Sequence, residues 1–420
     1  MNIQDLLILY CPDGVKWVTL DEISIEMYRG SGIKKDQVTD KGISCVRYGE
    51  IYTSYGVWFD NCISHTNELE IESKKYFEHG DLLFAITGEK IEDIAKCTAY
   101  VGNEKCLAGG DVLVMKHNQN PKYLSYVLST SQSNIQKMKG KVKSKVVHAS
   151  MDSIKSISIP LPPLIIQNEI VSILDTFASL TAELTAELTA ELALRKKQYE
   201  FYRDKLLSFD HLTQEERERE RAGVRFMPIS EFCSVSRGKG LQKKDFISEG
   251  VGCIHYGQIY TTYNTFATET ISFVSKECAA SSKTVHPRNL IVAITSENEE
   301  DICKAVSWEG TNDIVTGGHT AIISHNQNPR FISYLFQTAE FFKQKKKYIH
   351  GAKVIEISPS DLGKIIVPIP DLETQEIIVS ILDIMESLCF DLSNGIPAEI
   401  ESRRKQYEYY RDKILSFQEI

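Results

Sequence analysis

Residues Thr181 to Leu192 read TAEL three times in succession, inside a run from Leu164 to Phe209 that contains neither Gly nor Pro. Thr, Ala, Glu and Leu favour or tolerate the helix, so the run is predicted to be one long helix. At 1.5 Å of rise per residue, roughly forty residues make a rod of about 60 Å, longer than a small domain is wide. Such a rod has the character of a spacer, and the hydrophobic cores must lie on either side of it in the sequence.

The stretch that launches and ends this rod occurs twice. PLPPLIIQNEIVSILD from Pro160 is answered by PIPDLETQEIIVSILD from Pro368, and KQYEFYRDKLLSF ending at Phe209 by KQYEYYRDKILSF ending at Phe417, at a constant shift of 208. The preceding segments repeat at or near the same shift. YGEIYTSYG at Tyr48 is answered by YGQIYTTYN at Tyr256, FAITGEKIEDIAK by VAITSENEEDICK, and HNQNPKYLSYVLST at His117 by HNQNPRFISYLFQT at His325. The chain is therefore two copies of one unit, and a pseudo-twofold arrangement is expected. The rods are expected to lie antiparallel, with one globular domain at each end. The second rod departs from the first where CFDLSNGIPAEI, Cys389 to Ile400, replaces the TAEL repeats. Gly395 and Pro397 must break or kink it.

Within each copy the globular part reads as mixed α and β. Gly42 to Gly56 is rich in β-branched and aromatic residues and bounded by Gly, as a strand and turn would be. DLLFAITG from Asp81 and DVLVMK from Asp111 have strand length, whereas PKYLSYVLSTSQSNIQKMK from Pro121 has helical spacing with Pro at its start. Ile157 to Pro163 is extended and proline-punctuated. The expected boundaries are a first domain 1–159, a helical spacer 160–210, a charged linker 211–222, a second domain 223–367 and a second helical spacer 368–420.

No run of about eighteen apolar residues occurs, and the first residues lack a basic start and a cleavage site, which points to a cytoplasmic protein. The ten cysteines are scattered without a CxxC pair and read as reduced core residues. The search for catalytic chemistry returns no phosphate loop, no GxGxxG turn, no HExxH, no zinc-spaced cluster and no GxSxG elbow. Nor is there an Asn-Pro-Pro-Tyr or Asp-Pro-Pro-Tyr tetrapeptide of the kind amino-methyltransferases use. The acidic loops at Gly88 and Ser296 lack a neighbouring His or metal spacing and read as solvated.

A net charge of −9 argues against generic nucleic-acid coating, yet basic residues are locally concentrated. Lys137, Lys139, Lys141, Lys143 and Lys145 alternate in the first copy, and Lys343, Lys345, Lys346, Lys347 and Lys353 recur in the second. These are candidate phosphate contacts. Arg47, Tyr48, Tyr52 and Thr53, with His255, Tyr256, Tyr260 and Thr261, combine donors and acceptors with flat surfaces and are candidates for reading bases. Ile170, Ile173 and Leu174, with Ile378, Ile381 and Leu382, are candidate docking positions for partner helices. Leu184, Leu188 and Leu192 are assigned to the core of the helix pair.

The PLPPLxxQxxIVxxLD launch, the TAEL repeats and the two RKKQYE/YRDK ends resemble the specificity subunit of type I restriction-modification systems. The resemblance implies an α+β chain in which two similar α/β target-recognition domains are separated by two long helices packed as an antiparallel coiled coil. It implies a non-catalytic DNA reader in which each domain recognises half of a bipartite target. The helices then set the gap and dock two methyltransferase subunits, and two translocating restriction subunits can join. S-adenosylmethionine is expected on the methyltransferase partners, with no cofactor on this chain. The alternative is a coiled-coil scaffold that joins protein partners without reading DNA.

The TAEL repeat makes the spacer measurable. One unit adds about 6 Å of rise and about 40° of rotation beyond a full turn, while B-DNA turns by about 34° to 36° per base pair at 10 to 10.5 pairs per turn. Rotation decides, because a domain facing the wrong groove cannot read bases. Deleting Thr185 to Leu188 is expected to leave both half-sites unchanged and shorten the gap by one base pair, read out by methylome sequencing. Undiminished methylation at the original spacing would mean that the helix is only a tether.

Overall fold

The computed structural model describes residues 3–91, 93–139, 147–209, 223–391 and 395–417. The chain divides into two compact units, one of Met1–Glu187 with Ile400–Ile420, the other of Leu188–Glu399. Each unit thus combines a globular domain, the first part of the helix that follows it, and the last part of the helix from the other copy. The linker 211–222 lies outside the described residues.

In the first unit the strands Leu82–Ala85, Cys97–Tyr100 and Val112–Lys116 form the middle of a five-stranded sheet, edged by Glu26–Arg29 and Trp58–Phe59. Successive side chains on a strand point to opposite faces, and here both faces are covered. Leu82, Phe84, Leu113 and Met115 pack against the helix Pro121–Leu128, while Leu83, Ala85, Val112 and Val114 pack with Val46, Ile51 and Phe77 of the second layer. That double burial is why these strands read as continuous apolar runs. A second five-stranded sheet runs in the order Val38–Thr39, Ser64–Thr66, Ile43–Val46, Cys106–Ala108, Tyr76–Phe77.

The second unit repeats this plan. Its first sheet has the same order, Cys233–Arg237, Thr320–His325, Leu290–Ala293, Ala305–Trp308, Phe266–Ala267. Its second sheet keeps four strands, and a single bridge from Ile247 to Phe273 stands where the fifth would be. Each domain is closed by an antiparallel clasp, Trp17–Thr19 on Ser158–Pro160 and Arg225–Pro228 on Ile366–Ile369, just before its long helix begins.

Two local readings of the sequence are corrected. The strand expected over Gly42 to Gly56 stops at Val46, and Tyr48–Thr53 is a short helix; Tyr256–Thr261 is its counterpart. A box-type cap turns the chain, because Glu50 reaches back to the Arg47 backbone N–H at 3.1 Å. Tyr48 and Tyr52 are then one turn apart on a helix and do not alternate along a strand. The run from Pro121 is two helices, Pro121–Leu128 and Ser131–Met138, because Thr130 caps the second through the Ser133 N–H at 3.3 Å.

The rod Leu164–Ser208 is one helix of 45 residues. Its counterpart is broken into Leu372–Phe390 and Ile396–Ile414. At the break a Cβ on Gly395 would lie 2.6 Å from the Ser387 carbonyl oxygen and 2.8 Å from that of Asp391, so only glycine fits there. Antiparallel helix packing occurs inside each unit. Phe177, Leu180 and Leu184 share a groove with Arg403, Tyr407 and Tyr410, and Tyr199 stacks edge-on at 5.8 Å against Phe390. Leu184, Leu188 and Leu192 are half-buried, since a pair of helices covers only part of each. Among the described residues no helix is long and apolar enough to cross a membrane.

Each long helix is fixed to its domain by a buried amide. Gln167 accepts from the Asn120 N–H at 3.1 Å and donates to Gln119 Oε1 at 3.0 Å and to the Pro162 carbonyl at 2.8 Å. Gln375 repeats this with Asn328, Gln327 and Pro370 at 2.9, 2.8 and 2.8 Å. Two turns on, Asp175 accepts from Tyr126 Oη at 2.7 Å and Lys122 Nζ at 2.8 Å. Asp383 accepts in the same way from Tyr334 and Arg330.

The helix ends are exchanged between the copies. Asp412 accepts from the Ser131 N–H at 3.0 Å in the first unit, and Asp204 from the Ala339 N–H at 3.3 Å in the second. Leu415 is buried in the core of the first unit and Leu207 in that of the second. Leu415→Ala is therefore expected to cost about 3 kcal/mol, and to lower hydrogen-exchange protection in the domain strands of the first unit. Loss of protection confined to strands between residues 233 and 325 would contradict the exchange.

Candidate nucleic-acid interface

Arg47 follows the strand Ile43–Val46, whose register with Cys106–Ala108 ends at Val46 and Ala108. Gly109 passes so close that a Cβ there would lie 2.9 Å from the Val46 carbonyl oxygen and 3.3 Å from Arg47 Cα. Arg47 is half-buried and its Nε donates to Glu50 Oε1 at 2.9 Å. Tyr48 is 39% exposed, and Thr53 is exposed with its hydroxyl bonded back to the Gly49 carbonyl at 3.1 Å. Arg47, Tyr48, Gly49 and Thr53 line one side of a concavity of about 540 Å³ that Lys35 also reaches. Tyr52 belongs elsewhere. Its hydroxyl donates to the Ala85 and Thr87 carbonyls at 3.1 and 3.0 Å, and burial pushes its ionisation well up. It is a structural tyrosine between the helix and the central sheet.

The second unit has the same frame with different chemistry. His255 Nδ1 accepts from the Gly257 N–H at 3.2 Å, and burial together with His319 and Lys243 lowers the pKa of the ring. Tyr256 packs against His255 and His319, with centroids at 4.4 and 5.0 Å. Tyr260 repeats Tyr52, donating to the Thr295 carbonyl at 2.6 Å. Thr261 is exposed, like Thr53. Arg47 and His255 fall at matching places at the shift of 208, and the sequence reading missed Glu50 and Gln258, which brace them. The repeated spacing RxxE and HxxQ was the available signal.

The lysines separate into two kinds. Lys137 is buried, donates to the Leu128 carbonyl and to Asn134 Oδ1, and has its pKa lowered to about 8 by burial. Lys345 is buried against the Ile302 carbonyl at 2.6 Å, with its pKa likewise lowered. Neither ammonium faces solvent, so both are withdrawn as phosphate contacts. Lys137 lies in the helix Ser131–Met138 and Lys345 in the helix Ala339–Lys345, where every third or fourth residue turns inward. Lys139, Lys343, Lys346, Lys347 and Lys353 are exposed, with Lys346 paired to Glu299 at 2.7 Å. Lys141, Lys143 and Lys145 lie outside the described residues.

The candidate docking positions are also redistributed. Ile170, Leu174, Ile378 and Leu382 are buried in the core of their own units, and Ile173 is half-buried. Ile381 alone of the six is exposed, and it lies on a stripe with Ile377, Ile384 and Leu388, of which Ile384 is 74% exposed. The spacing i, i+4, i+7, i+11 is one face of a helix. The apolar pattern was legible in the sequence, but which face meets the domain was not.

A family model described as the type I restriction modification DNA specificity domain matches residues 12–194 and 222–402, both copies of the repeat. The chain belongs to the type I restriction-modification specificity family. The specificity subunit of the type I restriction enzyme EcoR124I/EcoR124II from Escherichia coli is 32% identical over 305 residues, covering 70% of each chain. The fold of this specificity subunit is shared with two solved structures. One is a chain from work on complex assembly and conformational transition of the type I R-M system, with a TM-score of 0.70 at 16% identity over 96% of this chain and 98% of that one. The other is the HsdS subunit from Thermoanaerobacter tengcongensis, with a TM-score of 0.54 at 15% identity over 96% of both chains.

One further pair in this specificity subunit is symmetric. His117 and His325 each accept through Nδ1 from the N–H two residues on, Gln119 and Gln327, at 3.1 Å. Each Nε2 is sealed from solvent without a hydrogen-bond partner, and burial lowers both pKa values to about 4. Between about 4 and the ordinary 6.5 the unfolded chain binds protons that the folded chain does not. Stability from these rings is thus complete above about pH 6.5 and is lost as pH falls toward 4, by at most about 3 kcal/mol per histidine. Urea unfolding at pH 7 and pH 5 is expected to show a smaller loss in the His117→Gln/His325→Gln double variant than in the parent. An equal loss in both would contradict the assignment.

Proposed function

We propose that each unit reads one half of a bipartite duplex target and that the long helices set the gap and carry methyltransferase subunits, with no chemistry on this chain. The observation that carries this is the repeated short helix, Tyr48–Thr53 and Tyr256–Thr261, which sets Arg47 and Tyr48, or His255 and Tyr256, partly open to solvent at the same place on the same sheet order in both units. Two equivalent surfaces suit the two antiparallel strands of a duplex, as in dimeric readers. The contacts at Arg47, Tyr48 and Thr53, with His255, Tyr256 and Thr261, are assigned to bases, and Lys139, Lys343, Lys347 and Lys353 to phosphates. The stripe Ile377, Ile381, Ile384 and Leu388 is assigned to a methyltransferase partner, because an apolar helix face of this length is costly to leave in water. A cytoplasmic location beside the DNA follows from the same reading.

The half-sites are expected to be related on their own strands and not identical, since Arg47 and His255 occupy equivalent places. The test is binding of the complex with its methyltransferase partner to duplex libraries over a range of salt. Lys139→Ala and Lys347→Ala are expected to weaken every duplex alike, with a salt slope shallower by up to about one per lost phosphate contact and an unchanged base preference. Equal, weak binding of all duplexes by the parent complex would favour the scaffold reading.

A further inference from the structure

The two units differ most sharply in chemistry at one matched pair of positions. In both, the residue after the strand is gripped by the third residue of the short helix: Glu50 Oε2 accepts from the Arg47 N–H at 3.1 Å, and Gln258 Oε1 from the His255 N–H at 2.8 Å. In both, that brace has the same second anchor, Ser64 Oγ donating to Glu50 Oε1 at 2.8 Å and Gln258 Nε2 donating to Ser272 Oγ at 2.7 Å. The residues change together. Where the first position carries a cation the brace is a carboxylate, and where it carries an imidazole the brace is an amide.

The consequence is geometric. Glu50 is only 6% exposed, so its position is set by the fold, and it holds the Arg47 side chain through Nε. A guanidinium gripped at Nε keeps its two terminal amino groups as a rigid outward fork. That fork matches the O6 and N7 acceptors of guanine, and a lysine in the same place cannot reproduce it. Asp111 lines the same concavity but is paired with Arg29, so it does not compete for Arg47. Gln258 gives His255 no such grip, because its oxygen is taken by the His255 backbone and its nitrogen by Ser272. With Nδ1 accepting from Gly257, a neutral His255 has a single N–H, at Nε2.

We propose that Arg47, oriented by Glu50 as a positioning residue, selects a guanine in the half-site read by the first unit, and that the second unit reads the equivalent base pair through the single donor of His255. This rests on the DNA-reading assignment above and adds to it the base and the residue that fixes the choice.

The test uses the full chain with its methyltransferase partner, assayed on duplexes carrying each base at each position of the methylated motif. The parent complex is expected to show a guanine in one half-site that it prefers by roughly ten- to a hundred-fold. Arg47→Lys should abolish that preference while leaving the salt slope and the other half-site unchanged. Glu50→Gln should weaken the preference at the same base pair only, and His255→Ala should alter the other half-site only. Recognition of the untouched half-site shows that each variant is folded. Uniform weakening of all duplexes by Arg47→Ala with a shallower salt slope would make Arg47 a phosphate contact and overturn the proposal while the reading assignment stands. Full preference retained in Glu50→Gln would overturn the positioning role. No preference for any duplex by the parent complex would overturn the reading assignment itself.

Discussion

Gln167 and Gln375 are fully buried amides in the first turns of the helices, set beside the apolar residues Ile170 and Leu174, or Ile378 and Leu382, that face the domains. A buried amide left without partners costs on the order of a few kcal/mol, so each side chain fixes the azimuth and height of its helix on the HNQNP loop and on the proline-rich launch segment. With those three hydrogen bonds closed, Ile170 and Leu174, or Ile378 and Leu382, can only turn into the core. Asp175 and Asp383 then fall beside the tyrosines of the domain helices. Which apolar face of Leu372–Phe390 remains open follows from that docking.

The same physics explains why the ends of the rods are exchanged. A helix of 45 residues extends well beyond the domain that launches it, and its last turns have apolar residues, Tyr199 and Leu207, that must be buried somewhere. They are buried in the unit that the chain builds next, and Leu415 is buried in the unit it built first. Each domain is therefore completed by residues distant in sequence, with Asp204 and Asp412 satisfying a backbone N–H at the start of a domain helix. Unit 188–399 adds Glu386, whose pKa burial raises and which accepts from Thr265 and Tyr334, where the first copy has Ala178.

Much of the architecture was legible from the letters because helix and strand signals here are local. The Gly- and Pro-free run, the break at Gly395 and the strands at Leu82 and Val112 each depend on residues within a few positions. The candidate interface was legible only in part. Tyr52 and Tyr260 share the composition of Tyr48 and Tyr256, and nothing local tells which ring points between the sheets and which toward solvent. Lys137 and Lys345 look like their neighbours until the helix turns them inward onto carbonyl groups.

The sequence by itself determined the twofold repeat, the long helix, the two-domain α+β composition and the family to which they belong. Periodicity and motif spacing are carried by residues adjacent in the chain. The tertiary structure decided that YGEIYT folds as a helix despite its β-rich composition, because Ile51 fills the space between two sheets and Ser64 anchors the buried Glu50 carboxylate. It alone decided which lysines and isoleucines remain exposed and that each helix end belongs to the other copy. Those outcomes depend on burial against residues far away in sequence, and burial is a property of the packed chain.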